Sequence, residues 1–428
     1  MNRWRATASL ARALGVGAVG GGIALLLGRP VVLVLVAPFV VLAALGLMTK
    51  PAGNAAVWTR LAHGTLQEGQ GTLSELSLSG ADDVEWVTRV SALAEYVALS
   101  PTDGVYGYFA DDPVPLKVSP RRWGRRRIGE EKIGLFSPWA GYRWGPFGLP
   151  GLEAYVLPAK TPYDSVAEAP QPLGLIGRNR SRRVGSGTEF SGIRPYQPGD
   201  RLKRINWRVS LRTDALHVVT TRAEEDTALL LVVDALADYG VSGGVGREES
   251  SLDVGMRAAA AIAEQHVRGG DRVALRVIGY AAEHVRYGAG ERHLRRILGT
   301  LARVRPGVPP DVVLDRLEFG ATAGTVVVVL SPMLSEALAT ATVRLVSSGL
   351  PVMVVDTLPP DAQPSVARST DPVVADIAWR MRRAEREHVL DRLAAVGCPV
   401  VAWAGPRTLD DVMRRLARRA QAPRVRVR

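Results

Sequence analysis

The chain has 428 residues, which is longer than one typical domain and predicts two or three folded units. Its formal net charge of +12 at pH 7 favours anionic partners, such as nucleic acid, a membrane surface or an acidic protein, over cationic ones. The single cysteine, Cys398, excludes a disulfide within the chain and suits a reducing compartment.

Residues 1–50 predict a transmembrane helical hairpin with a short cytoplasmic N-terminus. From Ala13 to Thr49 the only charged residue is Arg29, which lies in a Gly-Arg-Pro break between two apolar runs. Each run approaches the length that a bilayer core requires. We therefore expect two helices in the membrane, with Arg29 at the far interface.

The basic residues around these runs predict the orientation of the hairpin. Arg3, Arg5 and Arg12 precede the first helix, Lys50 and Arg60 follow the second, and the turn carries one arginine. The positive-inside rule places both ends of the hairpin in the cytoplasm. The prediction is a multi-pass cell-membrane protein with cytoplasmic soluble domains.

A glycine pattern within the first helix resembles a nucleotide-binding loop. Gly15, Gly17 and Gly20 fit G-x-G-x-x-G, but that motif binds dinucleotides only between a strand and a soluble helix. The spacing of Gly17 and Gly21 instead predicts close packing between membrane helices.

Residues 51–165 predict a β-rich, sandwich-like connector domain. Short apolar runs, some alternating with period two, are separated by Gly and Pro, as in "GTLSELSLSG". The aromatic residues of this region predict either core packing or a stacking surface for a ligand. They are Trp139, Tyr142, Trp144 and Phe147.

A basic segment, residues 166–225, which we call the signature segment, joins this region to a second folded part. Between Arg178 and Arg222 there are 11 Lys or Arg residues against 3 Asp or Glu. Residues 226–420 then alternate β-branched runs with amphipathic helices, which predicts an α/β domain with a doubly wound parallel sheet. Residues 421–428 form a basic tail.

The carboxyl ends of the parallel strands predict where a ligand site would lie. Candidate residues there are Asp234 after the first strand, Ser331 after "VVVVL" and Asp356 after "VMVV". Asp238 follows Asp234 by four residues and either caps the next turn or faces water. If a metal binds here, its ligands would be Asp234, Asp238 and Ser331, and Mg²⁺ is the cation such oxygens take.

The stretch from Gly187 to Arg212 contains many charged side chains on both sides of a Pro-Gly turn. We expect Asp200 to cap a short helix after the turn, with Leu202, Ile205 and Val209 on its inner face. Two hypotheses remain open. One is a salt-bridged clasp between the β-rich and α/β domains with Trp207 as its apolar anchor, and the other is a partner-binding surface.

This stretch resembles the signature of the domain of unknown function 58 family. The matching residues are Glu189-Phe190, Arg194, Tyr196, Gly199-Asp200, Lys203-Arg204, Ile205-Asn206-Trp207 and Arg212. Lys203 stands where the family usually has arginine. The α/β part resembles a von Willebrand factor A domain with a degenerate metal motif, because Leu236 and Asp238 replace the two serines of Asp-x-Ser-x-Ser.

The resemblance implies a function that the residues alone do not give. Members of the family typically carry a membrane hairpin, are commonly encoded beside MoxR-type AAA+ ATPases, and have no established catalytic activity. The expected protein is therefore a non-enzymatic scaffold or adaptor that acts with such an ATPase on client proteins, with no cofactor and no small-molecule substrate.

Two other functions are kept as alternatives. One is binding of an anionic ligand, either nucleic acid or a lipid headgroup, through the basic stretches; nucleic acid is disfavoured because no recognised binding motif accompanies the charge. The other is metal-dependent protein binding at the sheet edge. Hydrolysis is disfavoured, since the six histidines show no metal-ligand spacing in the sequence.

Overall fold

The computed structural model describes residues 3–80, 82–159, 179–198, 200–225, 228–280, 283–308, 319–321, 325–363 and 371–403, without the side chains of 179–189, 191 and 221–225. Contacts divide the chain into two compact units, Met1–Leu157 and Pro158–Arg428. The predicted basic tail, residues 421–428, and the last part of the predicted α/β domain, residues 404–420, lie outside the described residues.

The first unit begins with two apolar helices, α1 (Ala8–Leu27) and α2 (Val31–Met48). Gly28, at φ 60°, ends α1 in a left-handed cap, and the chain reverses at once into α2. Both helices are long and apolar enough to cross a membrane.

As predicted, the two helices pack closely at glycines. The glycines at the contact are Gly17 and Gly20, whereas the sequence predicted Gly17 and Gly21. A Cβ on Gly20 would lie 2.6 Å from a Val36 methyl, and one on Gly17 would lie 3.1 Å from a Val40 methyl. Nothing lies within 4 Å of a Cβ on Gly21, so its predicted packing role is wrong. A helical turn of 3.6 residues explains the difference, because positions 17 and 20 lie on the face that meets α2.

The rest of the first unit is β-rich, as predicted. Its strands are β1 (Arg5–Ala6), β2 (Ala56–Leu61), β3 (Thr65–Gln67), β4 (Thr72–Ser79), β5 (Trp86–Ser91), β6 (Val97–Ser100), β7 (Val105–Phe109), β8 (Leu116–Pro120), β9 (Gly124–Arg127), β10 (Glu131–Phe136), β11 (Tyr142–Leu149) and β12 (Glu153–Leu157). They form sheets ordered β1-β11-β10-β5-β7, β2-β4-β8-β6 and β3-β12-β9.

The core of this unit lies between its larger sheets. Ile133, Leu135 and Trp144 of the five-stranded sheet are buried, and Val57 and Leu76 of the four-stranded sheet pack against that cluster. Buried and exposed positions alternate along β4 and β5, and the inward positions carry polar side chains such as Ser74 and Arg89 as well as Val87. The first unit thus carries the predicted sandwich-like packing.

The second unit begins with an antiparallel ribbon and continues as a mixed sheet with helices. Its strands are β13 (Asn179–Pro195), β14 (His217–Glu225), β15 (Ala228–Ala235), β16 (Arg272–Gly279), β17 (His284–Gly288), β18 (Thr325–Ser331), β19 (Val352–Asp356) and β20 (Val400–Ala402). Its helices are α3 (Trp207–Thr213), α4 (Ser251–Arg268), α5 (Glu291–Leu301), α6 (Glu336–Ser347) and α7 (Pro372–Ala395). Short 3-10 turns among the described residues span Thr102–Gly104, Pro138–Ala140 and Leu202–Arg204.

The six-stranded sheet runs β17-β16-β15-β18-β19-β20 and is parallel except for β17. The predicted α/β organisation with a parallel sheet is confirmed, while the antiparallel edge strand β17 was not predicted. Strand order reverses between β15 and β18, and at such a point the carboxyl ends of parallel strands leave a crevice. Asp234 and Ser331 stand at the ends of those two strands.

Candidate functional site

An ion pair closes the Pro-Gly turn of the signature segment. Arg194, on β13, donates hydrogen bonds from both terminal nitrogens to the two carboxylate oxygens of Asp200, at 2.8 Å and 2.7 Å. The same carboxylate accepts the Gln197 backbone N–H at 2.9 Å. Two-pronged arginine–carboxylate geometry fixes orientation as well as charge, so the turn is held in one conformation.

This environment also sets the acidity of Asp200. The hydrogen bonds from Arg194, followed by the backbone N–H of Gln197, lower the pKa of the Asp200 carboxyl below its ordinary value of 3.8. Asp200 stays ionised through the neutral range and keeps its two partners.

The short helix α3 is anchored on the ribbon beside the turn. Buried Ile205 bridges to Val218 of β14, and the Asn206 N–H donates to the His217 carbonyl at 2.8 Å. Ser210 accepts the His217 N–H at 2.9 Å. The segment therefore folds back on β14 and presents the outer side of α3 to solvent.

The helix cap differs from the one that the sequence predicted. Asn206, not Asp200, caps α3 by accepting the Val209 N–H at 3.3 Å. Asp200 lies too early in the chain for this, and its carboxylate is occupied by the turn. Of the predicted inner face only Ile205 is buried, since Leu202 is 70% exposed.

Several signature residues form an exposed surface, which we call the docking surface. Its members are the apolar Leu202, Trp207 and Leu211 and the basic Arg201, Lys203, Arg208 and Arg212. Trp207 is 62% exposed and Leu211 83%, and they lie four residues apart on one face of α3. The four bases form no ion pair with any residue that the structure describes.

Trp207, predicted as the apolar anchor of a clasp between the two domains, is therefore exposed, and the clasp itself stays a prediction. Trp207 begins α3 on the side away from Val218, so its indole faces solvent. Tyr196 and Arg204 are half-buried, and the Tyr196 N–H donates to the Leu216 carbonyl at 2.8 Å. Gly199 and the side chain of Glu189 lie outside the described residues.

The other candidate site lies where the strand order reverses. The Ser331 hydroxyl donates to Asp234 at 2.6 Å, and the Leu236 N–H donates to the second Asp234 oxygen at 3.1 Å. Both side chains are buried, and burial raises the pKa of the Asp234 carboxyl, while the hydrogen bond from Ser331 opposes that rise. The predicted meeting of these residues at one sheet edge is confirmed.

The side-chain oxygens at this edge of the sheet do not form a site that fits Mg²⁺. Asp238 turns away, accepting the Leu252 N–H at 3.1 Å at the start of α4, and Leu236 offers no side-chain oxygen. Within the described ranges, no three His, Cys, Asp or Glu side chains gather where they could hold a metal. A nearly octahedral cation needs convergent oxygens, and here the oxygens bond to the protein itself.

Helix α7 contributes contacts to this edge that the sequence did not reveal. Arg386 pairs with Asp356 and donates to the Pro332 carbonyl at 2.6 Å. Trp379 stacks on Tyr239 with ring centroids 5.8 Å apart. The path of α7 across the strand ends depends on tertiary packing, and no motif in its sequence marks it.

Comparison with known proteins bears on the second unit in particular. Residues 192–366 match the family described as "Protein of unknown function DUF58". An uncharacterised protein of Mycobacterium bovis and uncharacterised proteins of two Mycobacterium tuberculosis strains are each 29% identical to the chain over 272 residues, covering 58% of this chain and 82% of each relative. The predicted resemblance to the domain of unknown function 58 family is thus confirmed for the part of the signature segment from Gly192 onward and for most of the α/β sheet.

Proposed function

We propose that this protein is a membrane-anchored scaffold whose soluble units face the cytoplasm and bind partner proteins without performing chemistry. The partners that the family resemblance suggests are a MoxR-type AAA+ ATPase and its clients. The observation that carries the proposal is the docking surface, where exposed apolar and basic side chains lie on the short helix α3 and on the 3-10 turn before it.

The exposed apolar surface of α1 and α2 supports membrane anchoring. Leu25 and Leu26 are 85% and 87% exposed, and Val34 and Leu35 are 73% and 71% exposed. A soluble protein rarely leaves so large a contiguous apolar surface in water, whereas lipid would cover it.

Strand β1 supports a hairpin that returns to the side from which it started. Ala6 pairs with Tyr142 just before α1 begins, so the N-terminus belongs to the same folded unit as the sandwich. Both ends of the hairpin then lie on one side of the membrane. The bases at these ends favour the cytoplasm as that side.

The composition of the docking surface suits protein binding. Tryptophan and arginine dominate the energetics of protein interfaces, and Trp207 here is flanked by Arg208 and is one turn from Leu211. The four bases favour an acidic partner surface, and their charge would speed its association.

The sheet topology supports a von Willebrand factor A-like architecture for the second unit. Its strand order reverses beside β15, whose penultimate residue, Asp234, is the position that opens the degenerate metal motif. Because the donors there do not fit Mg²⁺, we propose that partner binding in this protein is independent of metal.

Partner capture by the detergent-solubilised full chain tests the proposal. Tagged wild-type chain and a chain truncated after Leu157, which lacks the second unit and with it the docking surface, would be compared for proteins retained from membranes of the source cell. Recovery of an AAA+ ATPase with the full chain alone supports the scaffold, whereas its absence from both contradicts the proposed partnership.

Point variants then test the docking surface itself against the ATPase. Trp207→Ala, or Arg201→Glu with Arg208→Glu, should weaken capture about 30-fold, which corresponds to loss of a hot-spot contribution of about 2 kcal/mol. The matched control reverses two exposed bases of α5, Arg295→Glu with Arg296→Glu, and should keep capture. Equal loss in the control would point to net charge alone, and unchanged capture in all variants would refute the docking surface.

A further inference from the structure

Two arginines lie side by side where the hairpin meets the sandwich. Arg5 of β1 is in register with Arg143 of β11, so the two exposed side chains project from the same face. Like charges placed directly opposite each other destabilise a strand pair. Neither guanidinium has a carboxylate partner within the described part of the chain, so an anion between them would relieve the repulsion.

The loop after β10 is fastened to both apolar helices. The Thr7 hydroxyl, at the cap of α1, donates to the Ala140 carbonyl at 2.6 Å, and the Thr7 N–H donates to the Gly141 carbonyl at 3.0 Å. The Thr49 hydroxyl, at the end of α2, donates to the Pro138 carbonyl at 3.1 Å. The arginine pair is therefore held at the ends of the apolar helices and not on a free arm.

Trp139 stands at the tip of this loop and lies beside α2. Its side chain is 54% exposed, and its backbone has a φ of 59°. Trp139 and α2 residues, including Leu42 and Leu45, line an apolar groove of about 430 Å³. Leu45 and Leu42 lie roughly 4.5 Å and 9 Å along the axis from the last residue of α2, a depth at which membrane proteins concentrate tryptophan.

Acidic residues limit this basic surface to one edge of the sheet. Asp82, Asp83, Asp111 and Asp112 flank β5 and β7, at the opposite edge from β1. Glu85 lies nearer, where its carboxylate accepts the Trp139 N–H at 3.0 Å. The bases Arg5, Arg143 and Lys50 thus lie at β1, β11 and the end of α2, and exposed Arg3 and Arg12 flank them on the first part of the chain.

We propose that the hairpin root, formed by Arg5, Lys50, Trp139 and Arg143, binds one anionic phospholipid. The lipid phosphate lies against the two guanidiniums, and one acyl chain follows the groove between Trp139 and α2. Arginine pairs suit this role, because a guanidinium presents a rigid set of donors that matches phosphate oxygens. The inference rests on the membrane anchoring proposed above and adds a lipid class and a site to it.

Native mass spectrometry of the full chain in an uncharged detergent tests the site. Phosphatidylglycerol should bind as one lipid per chain and at least about 10-fold more tightly than phosphatidylcholine. Arg5→Gln with Arg143→Gln should weaken phosphatidylglycerol binding by about 30-fold, the loss expected for two bases near an anionic headgroup. Inorganic phosphate at the same concentration should not compete, because it lacks the acyl chain.

Two further variants separate the parts of the site. Trp139→Ala should weaken both lipids equally and leave the preference for phosphatidylglycerol intact, since the groove contacts only the acyl chain. Arg121→Gln with Arg127→Gln removes two exposed bases outside the five-stranded sheet and should change nothing. Circular dichroism would establish that each variant is folded.

The outcomes that would overturn this inference are distinct from failure of the anchoring. Equal affinity for both lipids, or a preference that survives the double arginine variant, would refute the site. Competition by inorganic phosphate would assign the arginine pair to a soluble anion instead. Release of the wild-type chain from native membranes by alkaline carbonate would instead contradict the anchoring itself.

Discussion

The buried pair between Arg89 and Glu131 offers a quantitative test of how the first unit is held together. Both side chains are almost fully buried, at 0% and 2% exposure, and are joined by bonds of 2.9 Å and 2.8 Å. The guanidinium also donates to the carbonyl and hydroxyl of Ser74, at 2.8 Å and 2.6 Å. Strands β5, β10 and β4 thus meet at one satisfied ionic cluster between the two larger sheets.

Glu131→Gln would leave the buried guanidinium without a counter-charge. Breaking a buried pair in this way costs about 3–5 kcal/mol of the free energy of unfolding. For a unit of this size, about 1 kcal/mol corresponds to about 2–4 °C, so the thermal midpoint of the first unit should fall by about 6–20 °C. Replacing both partners, as Arg89→Met with Glu131→Leu, should restore much of the loss because no charge is then buried.

Differential scanning calorimetry of the full chain in detergent would follow the transition of the first unit. The control is Glu153→Gln, which breaks a similar pair between Arg125 and Glu153 on neighbouring strands. That pair is 44% and 42% exposed, so solvent screens it and its loss should hardly move the midpoint. If Glu131→Gln lowered the midpoint no more than Glu153→Gln, the reasoning from burial would be refuted.

Three other perturbations have directions set by the structure. Arg194→Gln should return the pKa of the Asp200 carboxyl toward its ordinary value of 3.8, which a carbon-13 NMR titration would measure. Because the native pKa is lowered, ionised Asp200 stabilises the fold at pH values above the unfolded pKa. That stabilisation is lost as the pH falls through the native pKa. Ser331→Ala should raise the pKa of Asp234 further and lower the free energy of unfolding in urea by about 1–3 kcal/mol at pH 7. Because the raised native pKa makes stability fall as pH rises through it, the loss should shrink at acidic pH. Gly20→Leu should overpack the helical hairpin and destabilise it by about 1–3 kcal/mol in a thermal-melt assay.

Each of these has a control in the same region. Arg194→Lys keeps the charge but not the two-pronged contact, so an Asp200 pKa as low as in the wild type would show that charge alone suffices. Ser335→Ala removes a helix-capping hydroxyl without touching Asp234 and should give a loss that does not depend on pH between neutral and mildly acidic conditions. Gly21→Leu, which meets nothing within 4 Å, should leave the hairpin unchanged, and equal effects at the two glycines would contradict the packing argument.

Much of the second unit could be predicted because its strands are continuous β-branched runs. Residues 325–331 read as one buried strand, and every position of β18 is buried. The meeting of Asp234 with Ser331, 97 residues apart, followed from one rule about the carboxyl ends of parallel strands. Strand β17 was missed because five residues with a histidine and an arginine carry too weak a pattern.

The signature segment was predicted less well, because the burial of its residues depends on which side of the short helix α3 packs on the β13–β14 ribbon. Ile205 and Trp207 are two residues apart and both apolar, yet one is 8% and the other 62% exposed. Sequence spacing does not decide which of them faces β14. The ion pair of Arg194 with Asp200 lies within the predicted clasp, whereas Arg201, Lys203, Arg208 and Arg212 are exposed and form no ion pair with the residues that the structure describes.

The short strand β1 has a consequence for the order in which the protein is made. Thr7 and its hydrogen-bond partner Ala140 are 133 residues apart, so a ribosome adding about 5–20 residues per second needs roughly 7–27 s between them. During that interval the hairpin emerges, while the sheet edge that will receive β1 has yet to be synthesised. Under the membrane anchoring proposed above, insertion of the hairpin would therefore precede closure of the sandwich, and the residues of β1 would stay without their partner strand until that edge is synthesised.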